Sequence, residues 1–271
     1  MRYDTLILSG GSVKGCALLG SFKYLIDHEK IDIKKIKHII SASVGSLMAL
    51  PLILNVSIHA FYKIIKETRI KLFEKEDFKI ENVINEYGIY DNSVTEFYVK
   101  TFIKHFLKKD KITLKELFNL TKIKYTVKVS NITKNKVEYI NYLNYPDLDI
   151  TTLIKMTTSI PIVFKPVKYN DCLYCDGATG GGLPIEYNKS KNYLGIMLYP
   201  FDKDYGEIKN ILDYLKNLVH VYNTEDDFNK YKKYKNIICI DLKRPIKLDI
   251  TEEEKEEFFI EGYKQTKEFF E

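Results

Sequence analysis

The chain has 271 residues, of which 45% are hydrophobic and 29% are charged, and its formal net charge is +5. This composition is typical of a soluble globular protein with ample length for a core. The basic excess is too small to predict a nucleic-acid partner, and four cysteines in a chain of this length exclude a small disulfide scaffold.

The amino terminus joins Asp4 to a short apolar run at residues 6–8. That segment is too short and too acidic for a signal peptide, so we expect a cytoplasmic protein. We expect its contact with membranes to be peripheral and transient, with no transmembrane helix.

Apolar runs bounded by turn residues predict buried strands, and apolar residues at helical spacing predict the helices between them. The predicted strands lie at residues 3–9, 36–42, 124–142 (two strands with a turn near 134–135), 165–169, 172–176, 193–200 and 236–242. The predicted helices lie at residues 16–29, 44–54, 151–161 and 251–271, with several amphipathic helices between 58 and 120. This alternation predicts one α/β domain over residues 1–271, with a largely parallel central sheet flanked by helices on both faces.

Residues 39–58 contain no charged side chain. Their number alone qualifies the stretch as a transmembrane candidate. However, it opens with two strand-like isoleucines and then carries Ser41, Ser43, Gly45 and Pro51, which favours a strand, a tight turn and a buried helix in series. A membrane anchor formed by this stretch is the alternative, and it would resist extraction without detergent.

Ser43 lies at the predicted turn from strand to helix, in the sequence S-A-S-V-G. A nucleophile elbow has the pattern G-x-S-x-G, because strand and helix approach closely there and need small residues. Ser41 and Gly45 occupy the two small-residue positions of this pattern. Taken alone, the pattern favours a serine that only caps the helix beginning at Val44.

A glycine-rich stretch, SGGSVKG at residues 9–15, follows the first strand and precedes the first helix. Consecutive glycines let backbone N–H groups converge on one point, and the helix adds the positive end of its dipole. Such a loop binds a phosphate or stabilises an oxyanion. Cys16 follows Gly15 where a P-loop needs lysine, and Ser12 occupies the middle glycine position of a dinucleotide fingerprint. The oxyanion hole is the better interpretation.

Asp176 follows an apolar strand and precedes the loop GATGGG. A carboxylate at such a place is most commonly an ordinary turn aspartate. The same position also suits a general base that accepts the proton of Ser43.

These motifs, in this order, resemble the patatin-like phospholipase family. The resemblance rests on LSGGSVKG, SASVGS, TSIPIVFKPV and YCDGATGGGLP and spans residues 3–185. Residues 186–271 match only in their α/β character, and we expect them to complete the sheet and add helices. The resemblance implies a single patatin-like domain in which Ser43 is the nucleophile and Asp176 is its partner in a Ser–Asp dyad, without a catalytic histidine.

The same resemblance implies an oxyanion hole formed by the glycine-rich loop, with Lys14 helping to fix it. Its predicted residues are Gly10, Gly11, Ser12, Lys14 and Gly15. Two serines depart from the family pattern: Ser12 stands in the loop where glycine is usual, and Ser41 replaces the first glycine of the elbow. The loop after Asp176 also lacks the usual asparagine before proline. Because serine is small, we expect weaker or altered activity rather than its loss.

The expected function is that of a lipid acyl hydrolase, a phospholipase A or lysophospholipase, which needs no metal or cofactor. Phospholipid or lysophospholipid is the expected substrate from the resemblance alone, and the oligomeric state stays open. One alternative is a catalytically degenerate lipid-binding protein of the same fold. Another is a Ser–His–Asp esterase, for which His220 is the best candidate base. Cys172 and Cys175 are weak evidence for zinc, because residues three apart on a strand point to opposite faces.

Overall fold

The computed structural model describes residues 3–67, 80–180, 182–199, 208, 230–243 and 250–271. The strands are β1 (Thr5–Leu8), β2 (His38–Ala42), β3 (Gly88–Tyr90), β4 (Lys124–Asn131), β5 (Lys136–Ile140), β6 (Ile162–Phe164), β7 (Val167–Tyr169), β8 (Cys172–Asp176), β9 (Tyr193–Leu198) and β10 (Ile237–Ile240). The helices are α1 (Cys16–Asp27), α2 (Val44–Ile53), α3 (Ile58–Glu67), α4 (Ile80–Glu86), α5 (Ser93–Leu107), α6 (Leu114–Thr121), α7 (Ile150–Thr158) and α8 (Glu252–Phe270). Every predicted strand and helix is present, and β3 and β6 are additional.

The central sheet is mixed and mostly parallel. Its strand order is β10-β9-β1-β2-β4-β8-β7, and the neighbours from β10 to β4 pair in parallel. Strand β8 pairs antiparallel with the last residues of β4, β7 pairs antiparallel with β8, and β5 forms an antiparallel hairpin with β4. Strands β3 and β6 form a separate parallel pair. The predicted α/β class and largely parallel sheet are confirmed.

Side chains alternate between the two faces of the sheet, as the two-residue period of a strand requires. Leu6 and Leu8 join the larger apolar cluster, whereas Ile7 between them joins a smaller cluster on the opposite face. The larger cluster includes apolar residues of α1, α2, α3, α5, α6, α7 and α8. On the opposite face, the described residues that pack against the sheet are apolar side chains from 183–187 and Tyr231.

The uncharged stretch 39–58 divides as the sequence predicts. Strand β2 ends at Ala42, the turn is at Ser43, α2 follows directly, and α3 begins at Ile58. Most of α2 is buried in the larger cluster, which accounts for its lack of charge. No helix in the described part of the chain has the length and apolar character needed to cross a bilayer.

The C-terminal helix α8 begins with a capping box. The N–H of Glu254 donates to Thr251 Oγ1 at 3.2 Å, and the N–H of Thr251 donates to Glu254 Oε2 at 2.9 Å. These bonds satisfy two backbone donors that a helix start leaves free. Helix α8 packs along α1, the helix that follows the glycine-rich loop.

Candidate active site

Two pairings on β4 bring the predicted nucleophile and its predicted partner together. Ala42, the last residue of β2, pairs with Lys128, and Asp176, the last residue of β8, pairs with the next residue, Val129. Strand β5 occupies the other edge of β4, so β2 and β8 share one edge and meet end to end. Ser43, which follows Ala42, therefore lies beside Asp176.

A short hydrogen bond joins these two side chains. Ser43 Oγ donates to Asp176 Oδ2 at 2.6 Å, and the backbone N–H of Ala178 donates to Asp176 Oδ1 at 2.7 Å. Only 5% of Ser43 and 3% of Asp176 are exposed. One carboxylate oxygen is thus directed at the serine hydroxyl, and the backbone holds the other oxygen in place.

Burial dominates the electrostatics of Asp176. It raises the pKa of this carboxyl from its usual value of 3.8 to about 6, because removal from water disfavours the charged form. The hydrogen bonds from Ser43 and Ala178 and the positive charge of Lys128 act in the opposite direction. The carboxyl is therefore mainly ionised at neutral pH, yet it is more basic than an exposed aspartate.

The backbone of Ser43 has the sharp turn of a nucleophile elbow. Its dihedral angles are φ 50° and ψ −135°, a strained combination for a residue with a side chain. Its N–H donates to Thr157 Oγ1 at 2.8 Å. The Ser43 side chain makes no capping hydrogen bond to α2, which disfavours the capping interpretation.

The two small residues of the elbow fit in different ways. A Cβ atom at Gly45 would lie 2.3 Å from the backbone oxygen of Ser9, so helix and strand touch there. The hydroxyl of Ser41 is fully buried and lies 2.9 Å from Ser46 Oγ in the first turn of α2. Serine in place of the family's glycine is therefore hydrogen-bonded rather than crowded.

Gly10 of the glycine-rich loop lies directly beside the dyad. A Cβ atom at this position would lie 3.1 Å from Ser43 Cβ and 2.8 Å from Ala178 Cβ. However, the N–H of Gly10 donates to the backbone oxygen of Gly182 at 3.0 Å. Gly10 thus leaves space beside the nucleophile, while its own N–H is already occupied.

The rest of the loop forms a 3-10 turn over Ser12–Gly15. Ser12 keeps a glycine-like backbone, with φ 51°. Lys14 is fully buried, and its ammonium group donates to the backbone oxygen of Tyr199 at 3.4 Å, which fixes the loop to the end of β9. Within the described residues, the N–H groups of Gly11 and Ser12 have no hydrogen-bonded partner.

The histidines in the described part of the chain lie away from the dyad. Among the described histidines, none hydrogen-bonds to Ser43 or Asp176; His38, for instance, lies at the opposite end of β2 and bonds to Thr126 Oγ1. His220 lies outside the described residues.

Strand β8 carries the cysteine pair noted in the sequence. Cys172 and Cys175 are both free and buried. In the part of the chain that the structure describes, no cluster of histidine, cysteine, aspartate or glutamate could hold a metal ion.

Three groups in the site have no role predicted from the sequence. They are the Thr157 hydroxyl, the Ala178 N–H and the Gly182 carbonyl. Two of them are backbone groups. Every residue has a backbone carbonyl and nearly every residue has an N–H, so a sequence pattern does not show which of these groups lie in the site. Thr157 directly precedes the motif TSIPIVFKPV, and that adjacency is the signal that the sequence offers.

Comparison with known sequences identifies a matching family model and two viral relatives. A family model described as patatin-like phospholipase matches residues 6–188. The chain is 31% identical over 195 residues to "Probable lipid hydrolase 463L" of Invertebrate iridescent virus 6, covering 70% of this chain and 66% of that protein. It is 27% identical over 186 residues to "Uncharacterized protein R571" of Acanthamoeba polyphaga mimivirus, covering 68% and 61%. The chain thus matches under two thirds of the length of each viral relative.

Solved structures share the fold. VipD from Legionella pneumophila gives a TM-score of 0.65 at 18% identity, over 98% of this chain and 66% of that one. ExoU from Pseudomonas aeruginosa, solved in complex with SpcU, gives 0.55 at 14% identity, over 99% of this chain and 52% of that one. At these identities the likeness concerns the fold alone. The family model covers well over half of the sequence, and the chain belongs to the patatin-like phospholipase family.

Proposed function

We propose that this protein is a lipid acyl hydrolase that works through a Ser43–Asp176 dyad. The supporting observation is the 2.6 Å hydrogen bond from Ser43 Oγ to Asp176 Oδ2 in a buried site. An ionised carboxylate at this distance is within reach of the hydroxyl proton, as a general base must be. Family membership and the viral relative named as a probable lipid hydrolase favour a lipid ester as the substrate.

In the proposed reaction, Ser43 Oγ attacks the ester carbonyl carbon while its proton moves to Asp176 Oδ2. The proton then passes to the departing alcohol oxygen, which leaves an acyl group on Ser43. A water molecule next gives a proton to Asp176 and attacks the acyl carbonyl. The carboxylic acid is released, and the serine hydroxyl is restored.

The tetrahedral intermediate carries an oxyanion that needs hydrogen-bond donors. We assign this role to the N–H groups of Gly11 and Ser12, since the N–H of Gly10 and that of Ser43 already have partners. Lys14 acts indirectly by holding the loop. The proposed oxyanion hole therefore lies in the loop expected from the sequence, and two of its N–H groups act as the donors.

The proposed substrate is a phospholipid or lysophospholipid, which the enzyme meets in transient contact at a membrane surface. Glycerophospholipids carry the carboxylic esters that the dyad would cleave, and neither step requires a metal or cofactor. We propose no nucleic-acid partner.

A fluorophosphonate probe tests the nucleophile directly, because it reacts readily only with an activated serine. We expect the wild-type protein to be labelled on the peptide that contains Ser43, as identified by mass spectrometry. Ser43→Ala should remain unlabelled, whereas Ser41→Gly, which keeps the nucleophile, should still react. A wild-type protein that stays unlabelled would favour the alternative of a catalytically degenerate lipid-binding protein.

The rate should depend on pH through Asp176. Because only the ionised carboxylate accepts a proton, kcat/KM should rise through the pKa of about 6 and level off above it. A neutral ester substrate, followed from about pH 4.5 to about pH 8, reports the titration of the free enzyme. A rise centred near pH 7 that disappears on replacing a histidine would contradict the dyad.

The same carboxyl should make the stability of the fold decrease as pH rises, whereas the rate increases. Its folded pKa of about 6 exceeds the unfolded value of 3.8, so the folded protein holds a proton that the unfolded chain has lost between these values. The contribution to stability is fully present below pH 3.8 and is lost as pH rises through about 6. The free energy of unfolding should therefore fall by about 3 kcal/mol across this pH range because of Asp176. Urea unfolding at several pH values should detect it, and Asp176→Asn should lack it.

A further inference from the structure

We propose that Thr157 is a positioning residue that holds the backbone of Ser43 in its strained conformation. This inference rests on the proposed hydrolase function. Thr157 Oγ1 accepts the N–H of Ser43 at 2.8 Å and donates to the backbone oxygen of Lys128 at 2.7 Å. Thr157 is fully buried, so solvent does not reach its hydroxyl in this structure.

The direction of both hydrogen bonds follows from the number of protons. A threonine hydroxyl has one proton and two lone pairs. The oxygen of Lys128 can only accept, so the hydroxyl proton points to it. A lone pair then faces the N–H of Ser43, which can only donate. One side chain thereby satisfies the buried backbone N–H of Ser43 and also binds the backbone of β4.

The second bond ties the nucleophile to the strand that carries its partner. Lys128 directly precedes Val129 on β4, and Val129 is the ladder partner of Asp176. Thr157 therefore links the backbone of Ser43 to the same strand that positions Asp176. Movement of Ser43 away from the carboxylate would have to break this link.

The strain at Ser43 is the reason that such a link is needed. A φ of 50° with ψ of −135° persists only when the surrounding structure enforces it. With its N–H held, Ser43 Oγ stays within 2.6 Å of Asp176. Without the Thr157 hydroxyl, Ser43 is free to relax toward a more populated backbone conformation. Its Oγ would then move away from the Asp176 carboxylate.

Valine has nearly the shape of threonine but no hydroxyl, so Thr157→Val tests the inference. We expect kcat on a neutral chromogenic ester to fall about 100-fold, since a misplacement near 1 Å has that effect on catalysis. KM should change little, and the pH midpoint near 6 should remain, because Asp176 itself is untouched. Thr157→Ser, which restores the hydroxyl, should recover most of the lost rate.

Thr158→Val is the matched control, because it removes a hydroxyl one residue further along the same helix. Thr158 Oγ1 donates to the backbone oxygen of Ile154 at 2.7 Å and makes no hydrogen bond to the dyad. It should keep near wild-type kcat. Equal losses in the two valine variants, or no rescue by Thr157→Ser, would overturn the inference and indicate a general loss of packing.

A second readout does not depend on turnover. In protein labelled with isotope at serine, the Ser43 amide signal is identified by its absence from Ser43→Ala. Its hydrogen exchange should be slow in wild type and Thr157→Ser and fast in Thr157→Val. If the valine variant does not fold, Thr157→Cys, whose thiol is a weaker acceptor, should give intermediate protection. Slow exchange without the hydroxyl would overturn the inference, whereas an inactive wild type with a protected Ser43 amide would count against the hydrolase proposal alone.

Discussion

Asp176→Asn is expected to lower kcat/KM roughly ten-thousandfold while the protein keeps its fold. The amide has the shape of the carboxylate, so packing in the site does not change. The N–H of Ala178 donates to Oδ1 at 2.7 Å, and this bond requires the amide oxygen on that side. The NH2 group must then face Ser43 Oγ, where it donates instead of accepting. The serine proton has no acceptor, and attack stops.

Steady-state kinetics on a neutral ester, together with a circular-dichroism spectrum, measures both parts of this expectation. Asp32→Asn is the matched control, since this exposed aspartate bonds to the N–H of Lys34 and pairs with Lys35, away from the dyad. It should keep the wild-type rate. An Asp176→Asn enzyme that retains more than about a tenth of the wild-type rate would mean that another group takes the proton.

Gly45→Ala is expected to destabilise the fold by about 3 kcal/mol or more. The added Cβ would lie 2.3 Å from the backbone oxygen of Ser9 and 3.2 Å from Leu8 Cβ. Backbone atoms at the end of β1 and at Ser9 cannot rotate away as a side chain can, so the whole helix α2 must shift. Because Ser43 precedes this helix, the shift should also disturb the dyad.

Urea unfolding measures the loss of stability, and the chain offers a close control. A Cβ atom at Gly182 would meet no atom within 4 Å, so Gly182→Ala makes the same chemical change without a clash. We expect its unfolding midpoint to stay near that of the wild type. A Gly45→Ala protein as stable as Gly182→Ala would contradict the close approach of α2 and β1.

The elements of the fold are largely predictable from local sequence patterns, but their arrangement is not. Alternation and apolar runs identify β4 and β8, whereas the antiparallel pairing of Val129 with Asp176 joins residues far apart in the chain. Strands β3 and β6 have three residues each, which is too short for a periodic signal.

In the candidate site, the side chains in motifs are predictable from the sequence, but the backbone contacts around them are not. Ser43 and Asp176 are predictable because their side chains lie in motifs with a known order. The bond from Gly10 to Gly182 and the role of Thr157 depend on backbone groups that come together only in the folded chain. Sequence patterns contain no information on which N–H groups of a glycine-rich loop remain free.

The two serines that replace family glycines differ in their fit. Ser41 gains a hydrogen bond to Ser46. Ser12 must adopt φ 51°, which costs a residue with a Cβ about 1 kcal/mol. The expected reduction in activity is therefore better attributed to Ser12, in the oxyanion loop, than to Ser41 in the elbow.

The decisive measurement is fatty-acid release from vesicles of mixed phospholipids and, in parallel, from lysophospholipid, followed by mass spectrometry. Wild-type protein should release free fatty acid in equal amount with the deacylated lipid, and Ser43→Ala should release none. The products would also identify which ester bond is cleaved. Equal release by Ser43→Ala, or no release from either lipid by a protein whose Ser43 reacts with a fluorophosphonate, would contradict a lipid hydrolase that uses this serine.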